Sequence, residues 1–174
     1  MIILTVKDLT QHFGGLCAIS DYNLELKADE LLGIIGPNGA GKTTIFNLLT
    51  GVYRPTHGSI QVEDVEITGK RPNEITTLGL ARTFQNIRLF SELSVLDNIR
   101  IAHYTKTSYH PLSALFQLPH FERKEIEVIK HARELLNYFE LETYSQTSAK
   151  NLPYGLQRRL EIARALATKP KIYF

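Results

Sequence analysis

A chain of 174 residues can bury the core of one ordinary domain, with room for a small subdomain. Lys plus Arg number 20 against 18 Asp plus Glu, a net charge of +2 that gives no electrostatic footprint for a polyanion, so nucleic acid is not an expected partner. The single cysteine, Cys17, excludes an intrachain disulfide and reads as a small buried apolar residue in a reducing compartment.

The N-terminal apolar run is too short for a signal peptide, and no stretch reaches membrane-spanning length, so any link to a membrane is expected to run through another protein. Ile2 to Leu9 reads as a strand, broken by Gln11-His12-Phe13-Gly14-Gly15. Tyr22, Leu24 and Leu26 alternate with Asn23 and Glu25, the pattern of a half-buried antiparallel strand. After a turn at Ala28-Asp29-Glu30, Leu31-Leu32-Gly33-Ile34-Ile35 predicts a short buried strand.

That strand feeds Gly36-Pro37-Asn38-Gly39-Ala40-Gly41-Lys42-Thr43-Thr44, which satisfies G-x-x-x-x-G-K-[ST]. Ile45, Phe46, Leu48 and Leu49 then recur at helical spacing up to Thr50-Gly51. Glycines at 36, 39 and 41 allow positive φ and turn N–H groups inward, a nest for anionic oxygens at a helix N-terminus. Lys42 supplies a charge for the β- and γ-phosphates, and Thr43 a hydroxyl for Mg²⁺. The motif alone does not separate ATP from GTP.

Tyr53 to Gly58 is turn chemistry, and Ser59 to Val62 and Val65 to Ile67 are short strands. Pro72 to Leu78 predicts a helix closed by Gly79, and Leu80 to Phe84 a strand ending at Gln85. Ser94-Val95-Leu96-Asp97 opens a helix through about Ala102 in the manner of a capping box. From His103 to His120 no period is visible, and the expectation is a loop or irregular insertion. Glu122 to Phe139 is the clearest long helix, with Ile126, Ile129, Ala132, Leu136 and Phe139 on one stripe. Leu156, Leu160, Ala163 and Ala167 mark another helix, stopped by Lys169-Pro170, and Lys171 to Phe174 looks like a strand beginning.

Besides the phosphate loop, three stretches in the right order resemble the nucleotide-binding subunits of ABC transporters. Leu9 to Gly14 looks like the aromatic loop that stacks on adenine, Arg82-Thr83-Phe84-Gln85 like the Q-loop, and Leu152-Pro153-Tyr154-Gly155-Leu156 with its following helix like the signature segment. Phe13-Gly14-Gly15, Ala81 to Asn86, the long insertion before Glu122 and Leu152 to Gly155 are most similar to the ATPase subunits of branched-chain amino acid importers.

The resemblance implies an α/β P-loop NTPase of ABC type, with a β-rich part plus core over 1–90, a helical subdomain over 91–151, and a signature helix and next core strand over 152–174. It implies ATP and Mg²⁺ as ligands. Phe13 would stack on the base, residues 36–44 would hold the phosphates, Thr43 and Gln85 would meet the metal, and Gln85 would position water. Leu152 and Gly155 would act in trans, although Pro153, Tyr154 and Leu156 depart from the Leu-Ser-Gly-Gly-Gln pattern.

Implied partners are a second ATPase subunit, identical or not, integral-membrane permeases near Gln85 and the helical insertion, and indirectly a periplasmic or extracellular binding protein. The implied place is the cytoplasmic face of the membrane. Leu89, Phe90, Leu115 and Phe116 are candidate exposed apolar contacts for the permease, the alternative being that they pack into the helical subdomain. The sequence stops at Phe174, ahead of the family's acidic residues, so no general base is assigned and a fragment or truncated product is expected. Two alternatives stay open, a non-catalytic nucleotide-binding remnant and a soluble ABC-type protein not tied to a transporter.

Overall fold

The computed structural model describes residues 1–84, 86–104 and 119–174, with backbone alone for 119–121. It divides into two compact units, residues 1–80 with 171–174, and residues 81–170. Gln85, Leu115 and Phe116 lie outside the described residues.

In the first unit, β1 (Ile2–Phe13) and β2 (Leu16–Lys27) form a long antiparallel hairpin turned at Gly14-Gly15, and β1 also pairs with β3 (His57–Val62), which pairs with β4 (Val65–Glu66). The Gln11–Phe13 stretch therefore continues the strand, because register shifts along β1 absorb the breaks in its pattern. The alternation of β2 holds: Leu26 is buried, Tyr22 and Leu24 are half-buried, and Asn23 and Glu25 are exposed. Leu4, Val6, Leu9, Ile60 and Val62 from the sheet meet Ile45, Leu48 and Leu49 from α1 (Lys42–Leu49), forming one core. Helix α2 (Pro72–Thr77) ends at Gly79 as predicted, and the N–H groups of Lys171 and Ile172 both donate to Gly79 O.

Three further expectations for this part are corrected. Leu31 to Ile35 forms no strand, and Leu31 and Ile35 are 99% and 94% exposed. An apolar strand needs neighbours to take its backbone hydrogen bonds and its side chains, and among the described residues none runs beside it. The strand expected over Leu80 to Phe84 stops after β5 (Leu80–Ala81), which pairs with β6 (Ile172–Tyr173). Cys17 is exposed, because it stands on β2 near the hairpin tip, opposite the exposed His12.

The second unit is helical. Helix α3 (Val95–His103) opens with the predicted cap: Ser94 Oγ accepts the Asp97 N–H at 3.0 Å. With α4 (Pro119–Tyr138) and α5 (Tyr154–Ala167) it encloses Val95, Leu96, Ile99, Ala132, Leu136, Leu160, Ala163 and Ala167. The buried stripe of α4 differs by one position from the predicted one, since Val128 is buried while Ile126 is 66% exposed. The inward positions 128, 132, 135–136 and 139 keep the i, i+4, i+7 spacing, and Ile126 falls about 160° from Val128 around the helix. No described helix is long and apolar enough to cross a membrane.

Candidate nucleotide site

Helix α1 begins where the glycine-rich loop ends. Gly41, its N-cap, has φ +81, Gly39 has φ +85, and Gly36 is nearly extended at +157. Any other residue at Gly41 would be strained, because a Cβ there would lie 2.5 Å from Ile19 Cδ1 and 2.9 Å from Ala18 O of β2. The loop is thus seated directly on the hairpin.

The first N–H groups of α1 have no intrahelical acceptor, and no acidic residue stands in its first turn, so the partial positive charge of the helix end is left for an external anion. Gly36 to Ala40 are exposed, as is Thr43, whose position in the first turn suits a hydroxyl ligand to a hard cation. Lys42 Nζ folds back and donates to Gly36 O at 2.6 Å and Pro37 O at 2.7 Å. These neutral carbonyls hold the ammonium over the loop, and no carboxylate among the described residues pairs with it.

Phe13 closes β1 at the hairpin tip, 42% exposed, two positions beyond Gln11, which pairs with Ile19. That spacing carries it about 7 Å along the strand from the place where Gly41 touches β2. A half-open aromatic ring and an anion-receptive loop therefore share one end of one hairpin. Tyr53, not singled out from the sequence, meets the Phe13 ring edge to face at 5.2 Å. An aromatic residue before Arg54-Pro55 was its only signal.

In the helical unit, Leu152 is buried, Pro153 caps α5, and Gly155 is exposed in the first turn, where a Cβ would meet nothing within 4 Å. Leu156 is half-buried and packs on the helical core, which accounts for an apolar residue where the family pattern has Gln. The first turn of α5 also carries no acidic residue.

The segment following position 85 is held by two buried polar groups that the sequence did not single out. Asn98 gives Nδ2 to Phe90 O and Ser94 O, each at 3.0 Å, and takes the Phe90 N–H at 2.9 Å. Glu161 Oε1 accepts the Arg88 N–H at 3.3 Å. Arg82 and Arg88 stand 4.9 and 4.3 Å from the Phe84 ring centre, and burial, then Arg88, lowers the pKa of Arg82. Arg164 is lowered by burial and partly restored by Glu161. Phe90 is 47% exposed, as expected, whereas Leu89 packs against the helical core.

The fold and the loop define a P-loop NTPase of ABC type with a β-rich N-terminal part and a helical part. The ABC transporter family matches residues 19–174, and the chain belongs to that family. It is 44% identical over 170 residues to the high-affinity branched-chain amino acid transport ATP-binding protein BraF of Pseudomonas aeruginosa. Against LivG of Escherichia coli K12, a protein of the same description, it is 43% identical. Each alignment covers 98% of this chain and 67% of the relative, so the chain spans about two thirds of their length. Among solved structures, the ADP conformation of MJ1267, an ATP-binding cassette of an ABC transporter, superposes with TM-score 0.80 at 32% identity, covering 99% of this chain and 67% of that one. The ATP-binding cassette MJ0796, a dimer bound to ADP and Pi, superposes with TM-score 0.77 at 26% identity, covering 98% and 72%.

Proposed function

We propose that this chain is the ATP-binding part of a subunit that energises import of branched-chain amino acids. The observation that carries the reading is the phosphate loop seated on the hairpin that bears Phe13, in a chain 44% identical to a branched-chain amino acid transport ATP-binding protein. In this reading Phe13 stacks on the base, and residues 36–44 receive the phosphates through N–H groups and the α1 dipole. Lys42 exchanges the Gly36 and Pro37 carbonyls for phosphate oxygens, a stronger, charge-assisted pairing.

Mg²⁺ fits the exposed Thr43 hydroxyl, with Gln85 as the proposed second protein ligand and water-positioning group. When bound, the metal neutralises charge between the β- and γ-phosphates. Leu152 and Gly155, at the start of α5, address the nucleotide of a second subunit, Gly155 offering an N–H at a helix end free of acidic residues. The segment pegged by Asn98 and Glu161, with Phe90 half exposed, faces the permease, and the subunit works at the cytoplasmic face of the membrane.

The test is uptake by vesicles carrying the full-length subunit, its permeases and a branched-chain amino acid binding protein. Leucine uptake that requires ATP and is abolished by Lys42→Ala supports the proposal. ATP-dependent uptake indifferent to this subunit contradicts it.

A further inference from the structure

The segment from Gly51 to Thr56 joins α1 to β3 and is tied at both ends. The N–H groups of Val52 and Tyr53 donate to Asn47 O, in the last turn of α1, at 2.8 and 3.2 Å. At the other end Thr56 donates its N–H to Thr10 O at 3.0 Å, and its Oγ1 accepts the His12 N–H at 3.1 Å. The second anchor sits one residue before Phe13. Between the anchors, Tyr53 is 39% exposed and lies at 74° to the Phe13 ring.

We propose that Tyr53 is a positioning residue for Phe13, setting the plane of the base platform, and that the tied segment fixes this platform relative to the phosphate-loop helix. The inference rests on Phe13 being the base platform. A Phe at a strand end turns readily about its terminal torsion, which is broad and two-fold. An edge-to-face neighbour narrows that freedom and still leaves at least one face of Phe13 open, and a base stacks on a face. Because Asn47 belongs to α1, whose first residue is Lys42, ring and ammonium are referenced to one rigid helix. The Tyr53 hydroxyl has no part in this, so the ring alone should suffice.

The experiment titrates the intact subunit with Mg-ATP and, separately, with Mg-tripolyphosphate, alongside thermal melts. Variants are Tyr53→Ala, Tyr53→Phe, Phe13→Ala and the double alanine. Tyr53→Ala should weaken ATP by about threefold to tenfold and leave tripolyphosphate unchanged. Tyr53→Phe should bind as wild type, and the double variant should bind no more weakly than Phe13→Ala alone. Unchanged ATP affinity in Tyr53→Ala overturns the inference, as does an equal loss for tripolyphosphate, an additive double variant or a loss in Tyr53→Phe. Wild-type ATP binding by Phe13→Ala instead removes the platform reading itself.

Discussion

Gly39 and Gly41 share a positive φ, +85 and +81, and differ in their surroundings, which separates two costs that a glycine-rich loop combines. At Gly39 a Cβ would meet nothing, so Gly39→Ala should lose only the left-handed preference, about 1–2 kcal/mol. At Gly41 it would press on Ile19 and the Ala18 carbonyl, adding an overpacking cost for a total of about 2–5 kcal/mol. Thermal melts of the two variants check this order, and equal shifts would mean that the loop does not rest on β2 as described. At this scale the sequence was most readable where spacing is dictated by chemistry, as in the loop and Lys42. It was silent where a role depends on a distant neighbour, since nothing local pairs Tyr53 with Phe13 or Glu161 with Arg88.

Elements with local signals were legible for the same reason. Ser94 caps α3 because the acceptor and the Asp97 N–H are three residues apart, so Ser94→Ala should cost about 0.5–2 kcal/mol, read as a lower denaturation midpoint at unchanged m-value. The strand at Leu31 to Ile35 was misread because an apolar run shows a demand for burial, while neighbours must meet it.

Between α3 and α4, His103 and His131 meet edge to face at 5.1 Å, and His131 Nδ1 is buried with no hydrogen-bond partner among the described residues. Burial, then His131 and Lys169, lowers the pKa of His103 below its ordinary 6.5, against a smaller opposing backbone hydrogen bond. A depressed folded-state pKa means that the unfolded chain takes up the proton first. Stability present above about pH 6.5 is therefore lost as pH falls through the lowered value. Melts between pH 7.5 and 5 should show a loss that His103→Gln reduces, and an identical loss in the variant would assign it elsewhere.

On the scale of the molecule, the ABC-type fold was readable because four motifs occur in a fixed order, each tied to an element that the structure contains in part or whole. Two units emerge, a sheet-and-loop unit carrying Phe13 and the phosphate loop, and a helical unit carrying Leu152 and Gly155. Both α1 and α5 open without an acidic residue in the first turn, which leaves the partial positive charge of each helix end uncompensated there.

Nucleotide binding by the loop through Lys42 is the premise on which the other proposed roles rest. Titration calorimetry of Mg-ATP into the intact subunit and its Lys42→Ala variant, matched by thermal melt, tests this directly. Loss of one charge-assisted contact predicts affinity lower by at least about tenfold at unchanged stability. Wild-type affinity in Lys42→Ala would contradict the account and leave the loop a structural turn.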